Sequence, residues 1–267
     1  MRGTGGLAYS RNGRKSSVNQ CLILAAGNGS RLRPLSNGLP KPLMPVHGRS
    51  LVEHVIRDAH AAGIDHFVIV VGYGANAMRH WFAHTRLDGI SVTLIENSEY
   101  HKNNGISVLK AKDCFHSPFL LLMSDHIFEA STARALLNEP LMKGEVILAV
   151  DSKLDTIFDL DDVTKVKREG DHIVAISKEI TDYDAFDTGM FLCSPELFRA
   201  LESAKKDGNC SLSDGMRILG RRGKLRAFDI GDASWQDVDT PEALAYTESI
   251  WDLQFCRQAA PEAVFHA

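Results

Sequence analysis

The eleven residues LAAGNGSRLRP, Leu24 to Pro34, followed by Lys41 and Pro42, carry the clearest chemical signal in the chain. Gly27 and Gly29 let a backbone approach an anion and turn its N–H groups toward it. Arg31 adds a planar fork of donors suited to phosphate oxygens, and Lys41 adds a compact positive charge. A loop of this kind handles phosphate, and its charge is suited to a nucleoside triphosphate. Two better-known phosphate loops do not fit. A dinucleotide fingerprint needs a third glycine three residues after the second, where this chain has Leu32. A P-loop ends in Gly-Lys-Ser/Thr, which is absent here.

A triphosphate is handled with a divalent cation, and Mg²⁺ is held by one or two carboxylates together with phosphate oxygens. Asp125 follows the apolar run FLLLM, at the strand end where open α/β sheets bind ligands. Asp237 and Asp239, in WQDVDTPE, are two residues apart, so in an extended segment they face the same way and either could be the second ligand. His126 beside Asp125 reads as a structural or secondary contact. Asp159, Asp161 and Asp162 lack calcium-loop spacing and its glycine, and read as a solvated turn.

The loop and the carboxylates need a scaffold. Strand and helix patterns alternate from Cys21 to Asp151, which predicts an α/β fold with a mostly parallel sheet and helices on both faces. The expected strands are Cys21–Ala25, His66–Gly72, Ile90–Glu96, Phe119–Met123 and Glu145–Asp151. Helices are expected from Ser50, with Glu53 completing a capping box, to Ala62 with Gly63 as the stop. Others run from Ala75 to about Thr85, from Gly105 to about Lys112 and over Ser131–Asn138. Residues 159–180 alternate around turns and predict antiparallel strands, and Asp187–Cys193 and Gly223–Ile230 read as further strands. Ser194-Pro195 and Thr240-Pro241 each open a helix with proline at its first position. The organisation expected is a basic leader over residues 1–19 with no apolar periodicity, one domain over 20–251, and a tail over 252–267.

Composition narrows the function classes. Net charge is −4 with 44% hydrophobic residues, which gives no reason to expect nucleic acid or a membrane surface as partner. No apolar run approaches the roughly 18 residues needed to span a bilayer, and no signal-peptide core is present. Five scattered cysteines without a CxxC pair fit a reducing cytoplasm and neither a disulfide framework nor zinc, with Cys21 and Cys193 reading as buried thiols. Eight basic residues precede the first acidic one, Glu53, and four of them (Arg31, Arg33, Lys41 and Arg49) lie in the loop region, where they would attract an anion.

LAAGNGSRLRP followed by KPLMPV resembles the sugar-phosphate nucleotidyltransferases, from Cys21 to about Glu248. ENSEYHKNNGISVLKAK, LLMSDHIF, DTGMFLCSPELF and WQDVDTPEAL are similar to the cytidylyltransferase branch, most of all to the CTP:inositol-1-phosphate cytidylyltransferases. The resemblance implies a Rossmann-like three-layer α/β/α nucleotidyltransferase fold (GT-A-like) with a mixed, mostly parallel sheet and a small antiparallel C-terminal segment. It implies a Mg²⁺-dependent joining of CTP and a small phosphorylated alcohol, with inositol 1-phosphate as the expected acceptor and pyrophosphate as the leaving group. By position, Leu24, Ala25, Ala26, Gly27 and Gly29 would frame the nucleotide, with Asn104, Gly105 and Ser107 beside the base. Arg31 and Lys41 would stabilise the transferring phosphate, Asp125 and Asp237 or Asp239 would bind Mg²⁺, and Lys178 and Asp187 would meet the acceptor. Tyr183, Asp184 and Phe186 lie on the expected acceptor side. Ser124, where many sugar enzymes have glycine, argues against a hexose 1-phosphate. Phosphocholine and 2-aminoethylphosphonate remain alternative acceptors. A nucleotide-sensing subunit without chemistry is the non-enzyme alternative, and a metal-dependent glycosyltransferase is disfavoured by the triphosphate-type loop. The chain is expected to work in the cytoplasm without a membrane segment of its own, and a homodimer is one arrangement this reading allows.

Overall fold

The computed structural model describes residues 18–155 and 163–254. The leader, the Asp159–Asp162 turn and the last residues of the tail lie outside the described residues. In chain order the strands are β1 (Gln20–Ala25), β2 (Pro45–Val46), β3 (Arg49–Ser50), β4 (His66–Val71), β5 (Ser91–Glu96), β6 (Phe119–Met123) and β7 (His126–Phe128). They continue as β8 (Val146–Asp151), β9 (Lys165–Glu169), β10 (His172–Ser177), β11 (Ala185–Cys193), β12 (Leu225–Asp229) and β13 (Trp235–Asp237). The helices are α1 (Leu51–Ala61), α2 (Ala75–His84), α3 (Asn104–Lys110), α4 (Ala130–Leu137), α5 (Glu196–Ala204), α6 (Leu212–Arg221) and α7 (Pro241–Gln254).

Among the described residues one sheet runs in the order β5-β4-β1-β6-β11-β8-β12-β10-β9. Strands β5, β4, β1 and β6 are parallel, and β11 enters antiparallel to both β6 and β8. The hairpin of β9 and β10 continues the sheet, and β9 also pairs with the first residues of β11. The expected antiparallel segment therefore belongs to the main sheet.

The period-two geometry of β1 divides the core. Leu22 and Leu24 join a cluster with α3, α5 and α6, whereas Cys21, Ile23 and Ala25 join one with α1, α2 and α4. Both faces are covered, which is why the parallel strands read as unbroken apolar runs. Cys21 and Cys193 are buried free thiols, as their sequence context indicates.

At α1 and α6 the helix starts differ from expectation. Ser50 precedes α1, but its side chain caps nothing and its Oγ is buried without a partner. The N–H of Leu51 donates instead to the Met44 carbonyl across the β2–β3 hairpin, and Glu53 accepts from Arg57 at 2.8 Å. A capping box does form at α6, a helix the sequence pattern does not reveal among the polar residues and glycines of 206–222. Ser211 Oγ accepts from the Asp214 N–H at 3.1 Å, and the Asp214 carboxylate accepts from the Ser211 N–H at 2.7 Å. Ser211→Ala removes one half of that exchange and is expected to cost about 1 kcal/mol, read from the urea midpoint. Thr240 caps α7 as expected, its Oγ1 accepting from the Ala243 N–H at 3.1 Å.

This architecture leaves a crevice where β1 and β6 end side by side. The chain leaves β1 for β4 on one side and returns to β6 on the other, which makes the β1–β6 junction the sheet's switch point.

Candidate active site

The loop after β1 turns at Gly29 (φ +54°) into a 3-10 turn over Ser30–Leu35. A Cβ on Gly29 would lie 2.5 Å from Lys41 Cβ, so glycine is required for the lysine to cross beneath the loop. Arg33 leaves the site and stacks its guanidinium 4.7 Å from the Tyr73 ring centroid.

The metal candidates are brought together by a device too short to show in the sequence pattern. Strands β7 and β13, three residues each, pair antiparallel with His126 opposite Asp237, and the Val238 N–H donates to the Asp125 carbonyl at 3.0 Å. Asp125 sits at the end of β6, where the Ser124 N–H donates to the Leu24 carbonyl at 3.1 Å. Asp125, His126 and Asp237 thus meet, with ligand atoms within 4.8 Å of one another.

Lys41 is the hub. It is buried, its Nζ 2.5 Å from an Asp125 oxygen, in close ion-pair contact with Asp239 and 4.0 Å from Asp237 Oδ1. Arg31 pairs with Asp239 from the solvent side. Three carboxylates thus surround one ammonium, and Arg31 offsets part of the remaining negative charge.

His126 is half-buried beneath this cluster and hydrogen-bonds the Thr188 carbonyl through Nδ1 at 2.8 Å, while its Nε2 lies 3.4 Å from Asp237 and 3.8 Å from Asp125. Burial alone would lower its pKa. The Asp237 and Asp125 carboxylates and the Thr188 carbonyl outweigh burial and hold it up at about 9. The Thr188 carbonyl can only accept, so Nδ1 carries a proton, and Nε2 faces the two carboxylates. The Asp237 carboxyl is held down at about 2, because His126, Lys41 and Arg31 together outweigh its burial. Gly189 (φ +74°) makes room, since a Cβ there would lie 2.1 Å from His126 Nδ1.

A histidine whose folded pKa lies above its unfolded value of about 6.5 contributes stability that is complete below pH 6.5 and disappears as pH rises through 9. The melting temperature in EDTA is expected to fall between pH 7 and 9, and His126→Gln is expected to flatten that slope. An unchanged slope in the variant would assign the dependence to another group.

A cleft of about 290 Å³ opens over these residues, lined by Leu24, Ala26, Gly27, Gly29, Arg31, Lys41, Asn104, Ser107, Asp125 and Asp239. Most residues expected from the sequence thus converge. Ala25 does not line the cleft, because strand alternation sends its side chain to the opposite core. Gly105 does not line it either and packs against the backbone of Cys210 and Ser211, where a Cβ would lie 2.6 Å from the Cys210 carbonyl. Asn104 spends its Oδ1 on the Leu212 N–H at 2.8 Å, which ties the cleft wall to α6. Ser107 accepts from the buried Asn97 at 3.0 Å.

The acceptor-side residues spread further apart. Asp187 lies behind His126, its Oδ1 accepting from the Gly189 N–H at 2.8 Å, and burial raises its carboxyl to about 6. Lys178 is exposed just beyond β10, outside the cleft lining. Phe186 is fully buried and Asp184 pairs with Arg168, so neither presents itself to an acceptor, while Tyr183 packs against Phe186. Tyr100 and Lys102 line the cleft although the sequence reading assigned them no role. Their signal was their place in EYHKNN, beside Asn104.

A mixed sheet with a phosphate-type loop and converging carboxylates at its switch point defines a nucleotidyltransferase. Residues 21–223 match the MobA-like NTP transferase domain, and the chain belongs to that family. It is 35% identical over 230 residues to the "Bifunctional IPC transferase and DIPP synthase" of Rubrobacter xylanophilus, an alignment covering 85% of this chain and 51% of that protein. The protein of the same description from Aquifex aeolicus is 33% identical, over 84% of this chain and 50% of its own length. The chain spans about half the length of these curated relatives. Its fold matches the "inositol-1-phosphate CTP transferase from T. maritima" with a TM-score of 0.77 and 25% identity, over 90% of this chain and 99% of that one.

Proposed function

We propose that the chain transfers a cytidylyl group from CTP to inositol 1-phosphate, giving CDP-inositol and pyrophosphate. The observation that carries the reading is the placement of Lys41 and Arg31 over a carboxylate cluster at the ends of β1 and β6. The cytosine and inositol parts rest on what the similar proteins are called.

Binding begins at the loop, where Gly27 and Gly29 leave room for phosphate oxygens and Ala26 and Leu24 floor the cleft. Asn104 and Ser107 stand on the wall where the base would lie. The acceptor's phosphate oxygen attacks the α-phosphorus of CTP in line, and pyrophosphate departs. Because a phosphate monoester is largely dianionic near neutral pH, no general base is needed. Lys41 and Arg31 lower the barrier by facing the charge that builds on the α-phosphate, already fixed in place before reaction. Lys178 and Asp187 are proposed on the acceptor side.

The donor set fits Mg²⁺: the oxygens are hard, and Asp237 Oδ1 is buried with no hydrogen-bond partner among the described residues. Asp125 and Asp237 would hold the ion, which supplies neutralising charge to the triphosphate when bound. Asp239, tied to Arg31 and Lys41, positions those cations. His126, bonded to Thr188 through Nδ1, turns its Nε2 toward Asp237 and Asp125 and orients that pair.

No helix among the described residues is long and apolar enough to cross a membrane. A cytoplasmic enzyme supplying a nucleotide-activated alcohol to phospholipid synthesis is the setting this reading implies. The test crosses CTP, UTP, dTTP, ATP and GTP with inositol 1-phosphate, phosphocholine, 2-aminoethylphosphonate and glucose 1-phosphate, and follows pyrophosphate. Turnover confined to CTP and inositol 1-phosphate supports the proposal. Turnover with another acceptor keeps the chemistry and replaces the substrate. No turnover from folded protein that still binds nucleotide favours a sensing subunit.

A further inference from the structure

A second cavity, of about 640 Å³, lies at the opposite end of the sheet from the cleft. Its position follows from strand register. Cys193 pairs with Phe119 at the start of β6, and Ser194 opens the cavity, whereas Met123 at the far end of β6 lines the cleft. Four residue steps, about 13 Å of strand, separate the two levels.

The cavity joins an apolar floor to a cationic rim. Leu141, Met142 and Leu219 supply the floor, and Met142 is 64% exposed, the most exposed of the large apolar side chains described. On the rim, Lys143 and Lys224 have no carboxylate within ion-pair distance among the described residues, unlike most lysines of this chain. Glu196 is the one acid in the lining, and it is neutralised by Arg199 at 3.3 Å and Arg222 at 3.5 Å. Two uncompensated positive charges therefore face the opening.

Its inner wall carries an unmet hydrogen-bonding group. Ser194 is 7% exposed, and its Oγ has no partner, although it sits at the N-terminal end of α5. The expected cap at this helix is not made: Pro195 occupies the cap position, and Ser194 Oγ accepts from no helix N–H. A buried hydroxyl without a partner is costly unless a ligand or water completes it. The partially positive end of α5 beside it favours an anion.

From this combination we infer that the distal cavity binds a small phosphate monoester carrying an aromatic or apolar body. Its phosphate would lie between Lys143, Lys224 and the Ser194 hydroxyl, with its body on Met142 and Leu219. A soluble nucleotide and a lipid phosphate share that chemistry. The inference is independent of what the cleft does, and it makes the chain a protein with two separate phosphate sites.

Met142 in the cavity and Met123 in the cleft report the two sites separately. The full chain, labelled with ¹³C-methyl methionine and assigned through Met142→Leu and Met123→Leu, is titrated with AMP, CMP or monomeric dihexanoyl phosphatidate. The Met142 methyl is expected to shift saturably with at least one probe, and which one identifies the source. In Lys143→Ser/Lys224→Ser the affinity is expected to fall about a hundredfold, at about tenfold for each lost charge-assisted contact. Both lysines are surface charges, so the variant should fold, and Ser194→Ala provides a second test on the buried side. A Met142 methyl unmoved by every probe at millimolar concentration overturns the inference. So does a shift retained at full affinity in the double-lysine variant. Movement of Met123 alone places all binding in the cleft and overturns it equally.

Discussion

Lys41→Ala is expected to lower kcat by about three orders of magnitude, roughly 4 kcal/mol of barrier, with a much smaller change in KM for CTP. The ammonium is buried under the phosphate loop and touches two carboxylates at once, so its position is set before substrate arrives. A fixed charge of this kind acts where charge develops, which places its effect in kcat. Stability should fall as well, because three carboxylates lose the ammonium between them, and their partial exposure limits the loss. Asp125, Asp237 and Asp239 remain 24%, 34% and 26% exposed, so water can solvate them once the lysine is gone. Lys41→Arg keeps the charge and loses the compact geometry, and should recover only part of the rate. Near-normal turnover in Lys41→Ala would remove Lys41 from the chemistry.

Asp125→Asn is expected to abolish Mg²⁺-dependent turnover and to weaken Mn²⁺ binding, read separately by electron paramagnetic resonance. The substitution keeps the shape of the side chain, and the backbone carbonyl that accepts from Val238 is untouched, so the β7–β13 ribbon should persist. What is lost is one of two anionic oxygen donors, and a hard cation binds a neutral amide poorly. Asp239→Asn provides the contrast. Its carboxylate is occupied by Lys41 and Arg31, so the variant should lower turnover while leaving Mn²⁺ affinity nearly unchanged. Full activity of Asp125→Asn at ordinary Mg²⁺ would move the metal site elsewhere, and equal loss of Mn²⁺ binding in both variants would make Asp239 a ligand.

The legible parts of this protein are those in which one segment carries its own physical cause. An apolar run broken by glycines and arginine marked β1 and its loop, and FLLLM followed by Ser-Asp-His marked β6 and Asp125. Parallel strands covered on both faces leave long β-branched runs, and these placed β4 and β8 within a residue of their observed ends. What stayed hidden depends on pairing across the chain. Three-residue strands such as β7 and β13 are too short to show a period, although they bring Asp237 to Asp125. The box at Ser50 does not form: its Oγ is buried without a partner, and the Glu53 carboxylate accepts from Arg57 instead. Ser211 and Asp214 carried the same signal for α6, masked by the glycines around them. Phe186 and Asp184 suited an acceptor in type, and only tertiary burial and Arg168 show that they are committed elsewhere.

The most direct test is phosphorus NMR of the purified chain with CTP, inositol 1-phosphate and Mg²⁺. A new pair of coupled diphosphate resonances from CDP-inositol should grow in equal molar amount with pyrophosphate, and neither should appear when EDTA is added. Pyrophosphate without the coupled pair, or no change from folded protein in the presence of both substrates, would contradict cytidylyl transfer to inositol 1-phosphate.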